Sequence, residues 1–484
     1  MPQPTYDQLL AEVTYLRAEL AQLRRLIFGQ KRERFVPLHD IAQLETGLAE
    51  AKSESAPGAE TKTITYTRKE PSHRLTPPSR SPLPASLPRE EIVIEPTEDL
   101  TGMKKIGADI TEELEYTPGK IYVKRYVRPK YARPEGEGVV IGVLPSRPID
   151  KGIAGPGLLA HVLISKYVDH LPLYRQRQQF RRQQVELAES TLCGWVKASC
   201  ELLNPLYEAL RSEIVAAPYL MGDETPIRVL DNSQPGKCHL GYHWVYYAPL
   251  VKLAYFDYQP RRSRDGPLQM LKNFAGYLQT DGYTAYEAIT CRPEVTALGC
   301  LAHARRYFVE AQDNDPTRTE WMLSQMQQLY QIERHARDAE VSYDQRYQLR
   351  QESARPILTT MKAWLDEHVR QVLPKSEIGK AIGYTLGQWS KLEKYISDGR
   401  FEIDNNLIEN TIRPVALGRK NYLFAGSHEG AKRAALIYSL VATAKRHGVE
   451  PFAYLKDLLS RIADYPHRRV VELLPHNWKN PSSK

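Results

Sequence analysis

The sequence predicts a multidomain α+β protein. A chain of 484 residues exceeds what one hydrophobic core usually holds, since such cores stop growing at roughly 250–300 residues. Residues 89–148 contain short alternating apolar runs bounded by Pro and Gly, which is typical of a small antiparallel sheet. Residues 311–395 are polar and helix-forming and give no strand signal. Several separate modules are therefore expected.

Composition narrows the choice of partner and compartment. Lys and Arg number 66 against 58 Asp and Glu, a formal net charge of +8, which favours a polyanionic partner. The five cysteines form no C-x-x-C pair, which argues against a zinc ribbon or a disulfide framework and fits a reducing cytoplasm. Neither a signal peptide nor a run of about 18 apolar residues is visible. We therefore expect a soluble, cytoplasmic protein without a membrane partner.

Residues 1–48 combine a heptad-like apolar pattern with a basic segment. Apolar residues recur at alternating steps of four and three at Leu9, Val13, Leu16, Leu20, Leu23 and Ile27. This spacing is typical of a short coiled coil that self-associates or binds a partner helix, or of a helix that docks on its own protein. The basic segment RRLIFGQKRERF either binds phosphates or is a solvated face. Residues 49–88, rich in Ser and Pro, are predicted to be a flexible linker.

A small β domain is predicted at residues 89–148, and a helix-turn-helix at residues 149–212. In the latter, LPLYRQRQQFRRQQ is helical, VELAES breaks the pattern, and TLCGWVKASCELL begins a helix that Ser190 or Thr191 would cap. This second helix would read a DNA groove, although ordinary helical domains show the same pattern. The basic side chains of the first helix, Arg175 and Arg181 among them, favour DNA because phosphate contacts supply most of the affinity.

Residues 213–310 and 396–448 are predicted to form one sheet with helices packed on it, separated by a helical insertion at residues 311–395. Runs such as GYHWVYYAPLVKLAYFDYQP are apolar, rich in aromatic residues and bounded by turn residues. The segment HEGAKRAALIYSLVATAKRHG predicts a helix that ends at Gly448. Residues 449–484 are predicted to be a helical tail.

Three acids are candidates for a metal site. Asp223 follows the apolar run PYLM and Asp281 follows GYLQ, so each is expected at the end of a strand and both at one sheet edge. A single Asp after a strand more often forms a cap or an Asx turn, but the acid-rich segment FEIDNNLIEN adds Glu409. Two divalent ions need a few shared carboxylates and open positions for phosphate oxygens and water. Asp404 is the second choice as a ligand but is interpreted as a helix cap, and Glu402 is interpreted as a solvent-facing bystander.

Five motifs, in this order, resemble the transposase of insertion sequence family 66: MGDETP, QTDGYTAY, CLAHARRYF, DNNLIENTIRP and GRKNYLFAGS. The upstream KGIAGPGLLAHVLISKYVDHLPLYRQ is also similar. The resemblance implies a DDE-type enzyme whose acids lie on a ribonuclease H-like fold, a mixed sheet flanked by helices. The catalytic and metal-binding triad would then be Asp223, Asp281 and Glu409.

The resemblance also implies cofactors and partners. The cofactors would be two Mg²⁺ or Mn²⁺ ions, and the partner would be double-stranded DNA, both the element ends and the target. A homo-oligomer and accessory proteins from the same element are expected. Many relatives carry two C-x-x-C pairs in the small β domain, where this chain reads DLTGMKKIG and YARPEGEG. No zinc is therefore expected, and the sheet would be held by packing alone.

DNA-binding side chains are expected on two helices of the core. Those of LAHARRYF would contact the scissile or an adjacent phosphate, or else the two arginines solvate the helix and the histidine forms hydrogen bonds in the core. Many relatives have Glu-Arg at the third acid, whereas Asn410 follows Glu409 here, which leaves the cations further along to hold phosphate. The predicted DNA-binding residues are His303, Arg305, Arg306, Arg413, Arg419, Lys420, Asn421, Arg175 and Arg181.

The predicted reaction is phosphoryl transfer at DNA. Water would cut at the end of the element, and the freed 3′-hydroxyl would attack target DNA, without a protein nucleophile. Two other functions are compatible with the same residues. One is a catalytically silent DNA-binding regulator derived from a transposase, and the other is a ribonuclease H-like nuclease that cuts without joining strands.

Overall fold

The computed structural model describes residues 83, 85, 87–117, 119–133, 138–230 and 237–479. The predicted coiled coil, the basic segment after it and nearly all of the linker lie outside the described residues. The architecture is mixed α+β, with two sheets and many helices, so the predicted α+β class is confirmed. None of the helices in the described part of the chain is both long and apolar enough to cross a membrane.

The first sheet is small and consists of β1 (Arg89–Val93), β2 (Lys104–Thr117), β3 (Lys120–Ala132) and β4 (Val139–Ile141). β2 and β3 form a long antiparallel hairpin, and β4 pairs antiparallel with β3. β1 runs parallel to β3 because the hairpin returns β3 between β1 and β2. The prediction of an antiparallel sheet is therefore correct for three strands and wrong for β1.

Buried polar contacts help to hold this small sheet together. The hydroxyl of Tyr126 donates to Oε1 of the buried Glu113 at 2.7 Å. The carboxylate of Glu115, only 1 % exposed, forms an ion pair with Lys124 at 3.4 Å. The prediction that packing alone holds the sheet is wrong, because acids of β2 are buried opposite the partners that neutralise or hydrogen-bond them.

Three helices follow: α1 (Pro156–Tyr167), α2 (Leu173–Arg182) and α3 (Glu189–Ala216). The break between α2 and α3 covers residues 183–188, so the predicted break VELAES is correct for its first four residues, whereas Glu189 and Ser190 belong to α3. The cap of α3 is Ala188, through its extended backbone and without a side-chain hydrogen bond. The prediction that Ser190 or Thr191 caps this helix is wrong, because the helix begins one residue before Ser190.

The second sheet has the strand order β7-β6-β5-β8-β9. Its strands are β5 (Tyr219–Leu230), β6 (Cys238–Ala248), β7 (Leu253–Gln259), β8 (Gly276–Gln279) and β9 (Val295–Leu298). β5, β6 and β7 are antiparallel neighbours, whereas β8 and β9 continue the sheet in parallel from β5. The short helices α4 (Asp265–Met270) and α5 (Glu287–Thr290) lie in the connections between its strands.

A long helical stretch separates β9 from the last part of the core. It consists of α6 (Leu301–Glu310), α7 (Pro316–Asp338), α8 (Tyr343–Leu349), a π-helical turn (Arg350–Ala354), α9 (Arg355–His368), α10 (Glu377–Leu392) and a 3₁₀ turn (Glu393–Ser397). Residues 311–395 are all described and include no strand, which agrees with the sequence pattern.

The last helices are α11 (Asn406–Tyr422), α12 (His428–Arg446) and α13 (Pro451–Arg461). α12 ends just before Gly448, whose φ of +68° is the left-handed conformation predicted there. α12 also covers the edge strand β7. Its Ser439 and Thr443 hydroxyls accept the backbone N–H groups of Phe256 at 2.8 Å and Ala254 at 3.1 Å. These bonds satisfy an edge that could otherwise pair with another chain.

Candidate active site

Asp223 and Asp281 lie at the same level of two adjacent parallel strands. β5 and β8 pair in register, with Met221 opposite Gln279, and each aspartate comes two residues after this pair. Asp281 follows the end of β8, as predicted. Asp223 lies within β5, because the residues after it continue to pair with β6. The prediction that Asp223 ends its strand is therefore wrong, but the register still makes the two aspartates neighbours.

Asp281 is fixed by its own loop. Its Oδ1 accepts the backbone N–H of Tyr283 at 2.9 Å, which is an Asx turn. Its backbone carbonyl accepts the hydroxyl of Tyr384 from α10 at 2.7 Å. The turn interpretation and the site interpretation of this residue are thus compatible, because only one carboxylate oxygen is engaged in the turn.

The third predicted acid, Glu409, lies in the first turn of α11. Its backbone N–H donates to the carbonyl of Asn405 at 3.1 Å. Burial raises the pKa of Asp223 to about 7. The negative charge of Glu224, and after it those of Asp281 and Glu409, contribute to this shift. The charges of Asp281 and Glu409 therefore reach Asp223, although the three acids come from three separate elements.

The two other acids of this segment are bound to protein groups. The buried Asp404 accepts the backbone N–H of Asn406 at 3.0 Å and its side-chain amide at 2.7 Å. It therefore orders the start of α11, although Asn405 occupies the cap position. Glu402 forms an ion pair with Arg346 at 3.0 Å. The prediction that Glu402 faces solvent is wrong, because Arg346 reaches it from the distant helical stretch.

On α6, His303 lies near the acids. Burial lowers its pKa, and the negative charges of Asp281 and Glu409 oppose that shift. Its Nδ1 is buried without a hydrogen-bond partner among the described residues, which does not fit the alternative of a hydrogen-bonded core histidine. Arg305 and Arg306 are exposed on the same helix.

The predicted cations of α11 differ in their surroundings. Arg413, Lys420 and Asn421 are exposed. The guanidinium of Arg419 donates to the backbone carbonyl of Pro226 in β5, and its partial burial lowers its pKa. Arg419 therefore fastens α11 to β5 and is less accessible than predicted.

The two predicted DNA contacts on α2 are exposed. Arg175 donates from Nε to the hydroxyl of Tyr174 at 3.0 Å. Arg181 forms an exposed ion pair with Glu186 at 3.0 Å. Both contacts are solvent-facing, so a phosphate could replace them at little cost.

Sequence reasoning missed two buried polar residues next to the candidate acids. Glu224 accepts Nε of Arg262 on Oε1 at 2.8 Å, while its Oε2 is buried without a partner in the described residues. The guanidinium carbon of Arg262 lies 4.0 Å from the ring centroid of Tyr283. Asn405 is 1 % exposed, and neither polar atom of its side chain has a partner among the described residues. The sequence signal that could have identified Glu224 and Asn405 is that each directly follows an aspartate within one of the motifs.

The donor set suits a hard divalent cation. Carboxylate oxygens are the ligands that Mg²⁺ and Mn²⁺ prefer, and a cation would stabilise the ionised form of Asp223 against the effect of burial. Among the described residues, however, no three His, Cys, Asp or Glu side chains are grouped so that they could hold a metal ion by themselves. Ligands from bound DNA or water, or a shift of the side chains, would be needed to complete a site.

Comparison with protein families finds matches along most of the chain. The transposase IS66 family matches residues 151–433, and the IS66 C-terminal element matches residues 439–476. Upstream, the transposase C of IS166 homeodomain matches residues 15–92. The zinc-finger binding domain of transposase IS66 matches residues 98–132.

Curated relatives of similar length occur in Sinorhizobium fredii. The uncharacterized protein y4jD is 34% identical over 99% of this chain and 97% of its own length. The uncharacterized protein y4hP is 33% identical over 97% of this chain and 90% of its own length. Their names state no activity. The search of solved structures found no significant match.

The match to a zinc-finger domain corrects one prediction. We expected magnesium or manganese and no zinc, and the exclusion of zinc is wrong, because the module at residues 98–132 is of a zinc-binding type. The absence of C-x-x-C pairs was not a sufficient reason to exclude zinc, since the domain is matched without them. Residues 98–132 contain neither Cys nor His, so zinc here would need carboxylates or ligands from elsewhere. The match says nothing of magnesium.

Proposed function

Because this chain belongs to the transposase IS66 family, we propose that it cleaves the DNA ends of its insertion sequence and joins them to target DNA. One observation carries the proposal. Asp223 and Asp281 each come two residues after an in-register pair of the adjacent parallel strands β5 and β8, and the charge of Glu409 contributes, after burial, to the raised pKa of Asp223. Three carboxylates that share one electrostatic environment are what metal-dependent phosphoryl transfer requires.

We further propose that the second sheet and its helices are a ribonuclease H-like core. The mixed sheet, with three antiparallel strands continued by two parallel ones and flanked by helices, supports this. The domain boundaries given above are part of the same proposal, with the core at residues 213–310 and 396–448. α2 and α3 are proposed as the helix-turn-helix, with the exposed side of the first turns of α3 as its DNA-reading face.

In the proposed mechanism Asp223, Asp281 and Glu409 would hold divalent cations, with further ligands from DNA or water. Such cations, when bound, lower the pKa of the attacking water or hydroxyl and stabilise the leaving oxygen. His303 lies near the same acids and is partly exposed, so its ring can hydrogen-bond a phosphate oxygen or the attacking hydroxyl. Arg413 and other exposed cations neutralise the phosphates beside the cut. DNA hydrolysis frees a 3′-hydroxyl, and attack of that hydroxyl on a target phosphodiester restores one P–O bond for each one broken.

The proposal is tested by incubating the full chain with labelled terminal-repeat DNA, target DNA and Mg²⁺. The other proteins of the same element are included, because the predicted need for them would otherwise hide activity. A joined product is expected. Cleavage without joining would favour the nuclease, and DNA binding without any chemistry would favour the silent regulator; either result overturns the proposal.

The assignment of the three acids is tested separately by a variant of Asp281. Asp281→Asn should abolish cleavage and joining and leave DNA binding intact, because it removes a charged ligand without changing side-chain size. Asp338→Asn, at an exposed position of α7, is the matched control and should behave as the wild type. Full activity of Asp281→Asn would show that the acids are assigned incorrectly.

A further inference from the structure

A buried tyrosine and a buried glutamine connect the segments that carry the three acids. Tyr219 lies on β5, four residues before Asp223, and is 1 % exposed. Gln279 is the last residue of β8, two before Asp281, and is fully buried. Neither residue belongs to the proposed machinery, and a polar pair inside a sheet core costs stability unless its hydrogen bonds are satisfied.

Their hydrogen bonds converge on one residue of the loop that leads to Glu409. The Tyr219 hydroxyl donates to Oε1 of Gln279 and accepts the backbone N–H of Glu402 at 3.1 Å. Nε2 of Gln279 donates to the backbone carbonyls of Glu402 at 2.9 Å and Gly299 at 2.8 Å. Both backbone polar groups of Glu402 are thus bound by the side chains of two strands.

This arrangement joins four segments at one point. β5 and β8 supply the side chains, the β9–α6 junction supplies Gly299, and the loop before α11 supplies Glu402. The ring of Phe401, next in the loop, packs on Tyr219 with centroids 5.2 Å apart. Glu409 is separated from its neighbours in the site by long stretches of chain, so its distance from the aspartates depends on where this loop is held.

We propose that Tyr219 and Gln279 are positioning residues that set the distance between Glu409 and the two aspartates. The inference rests on the proposed function, since it assumes that the three acids act together on a cation. Buried partners that orient ligand residues typically affect metal affinity or activity by about tenfold to a hundredfold. Removal of one hydroxyl from this pair should therefore act on chemistry as well as on stability.

The test is Tyr219→Phe in the full chain, with three readouts. We expect kcat of DNA cleavage to fall roughly tenfold or more while KM for DNA is unchanged. Binding of Tb³⁺, a luminescent substitute for the divalent cation, should weaken by a similar factor. Hydrogen exchange at the Glu402 amide should accelerate, because its acceptor is removed. Gln279→Met keeps the volume and removes the bonds to the carbonyls of Glu402 and Gly299. It should lower kcat and Tb³⁺ affinity in the same way, and it carries the test if Tyr219→Phe does not fold.

Tyr277→Phe is the matched control, because Tyr277 lies on β8 and packs on the same Phe401 ring, with centroids 4.4 Å apart, without joining these hydrogen bonds. It should behave as the wild type. Lower thermal stability of Tyr219→Phe with unchanged kcat and Tb³⁺ affinity would overturn the inference, as would a loss of kcat with unchanged Tb³⁺ affinity. If the wild type neither cleaves DNA nor binds Tb³⁺, it is the proposed function that fails.

Discussion

At the scale of single residues, two adjacent acids of β5 have different partners. Asp223 and Glu224 point to opposite faces of the sheet, as successive strand residues do. Burial, the charge of Glu224 and then those of Asp281 and Glu409 raise the pKa of Asp223, whereas Glu224 is bound by Arg262. Glu224 therefore already has a cation of the protein as its partner, and this pairing depends on a residue that the sequence pattern did not connect to it.

The burial of His243 makes the stability of the folded chain depend on pH. It is fully buried, neither ring nitrogen has a partner among the described residues, and its neighbours are Arg419 and the rings of Phe256, Tyr258 and Tyr438. Burial, and then the charge of Arg419, lower its pKa to about 3. Below pH ~6.5 the unfolded chain therefore binds a proton at His243, whereas the folded chain leaves this side chain neutral until the pH is near 3. Stability from this group is complete above that pH and is lost as the pH falls, by about 1.4 kcal/mol per pH unit.

His243→Leu should remove this dependence. Urea unfolding at several pH values between neutrality and mild acid should give a shallower decline of the unfolding free energy than in the wild type. His467→Leu, at an exposed position, should retain the wild-type slope. Equal slopes for wild type and His243→Leu would mean that the histidine is not the buried proton site.

Individual residues also show how much of the candidate site can be predicted from the sequence. The interpretation of Asp281 depended on a strand end, which apolar patterning locates well. Asp223 was placed too close to a strand end, because only the pairing with β6 shows that the strand continues through Thr225 and Pro226. Tyr219 and Gln279 look like ordinary strand residues in the sequence, and their role arises from contacts with Glu402 across long stretches of chain.

At the scale of elements, the helical stretch is bound to the loop before α11 by a buried ionic network. Arg350, fully buried at the π-helical turn, donates to Glu333 of α7 at 2.7 Å and to the carbonyls of Tyr395, Asp398 and Phe401 at 2.7 to 2.8 Å. Burial alone would raise the pKa of Glu333, but the hydrogen bonds from Arg350 and Arg346 lower it below its usual value. A sequence of polar helices predicts this stretch, but not that it holds the loop in place.

Arg350→Met should destabilise the chain by about 3–5 kcal/mol, because it leaves the Glu333 carboxylate and three carbonyls without this buried donor. The double variant with Glu333→Gln should lose less than the sum of the two single variants. Urea unfolding measures all three. Lys362→Met, which breaks an exposed ion pair with Asp366 on α9, should cost less than about 1 kcal/mol. Additive losses would show that Arg350 and Glu333 do not act as a unit.

At the scale of the whole molecule, the excess of 8 positive charges favours DNA, but pairing within the protein decides which cations remain available. On β3, Lys124, Arg125 and Lys130 are paired with acids of β2. Fewer positive charges of β3 are therefore available to DNA than its sequence suggests. Arg413 and Lys420 on α11 are exposed. Sequence composition predicted the class of partner, whereas the choice among cations required knowledge of which strands lie side by side.

Arg413→Ala combined with Lys420→Ala should weaken DNA binding and its salt dependence. Each phosphate contact contributes about 0.9 to the slope of log affinity against log salt for duplex DNA, so the slope should become shallower by roughly 2. Fluorescence anisotropy at several salt concentrations measures it. Arg370→Ala, at an exposed position after α9, is the control and should leave the slope unchanged. An unchanged slope in the double variant would place the DNA elsewhere.

The long sequence separation of Glu409 from the aspartates has a consequence during synthesis. A nascent chain that has left the ribosome as far as α9 already carries both aspartates. It still lacks Tyr395, Asp398 and Phe401, whose carbonyls accept hydrogen bonds from Arg350, and the loop that Tyr219 and Gln279 bind. The proposed site is therefore completed only after the last part of the core has been translated. Under the proposed mechanism, a chain that ends before Glu409 lacks one of the three acids and should not cut DNA.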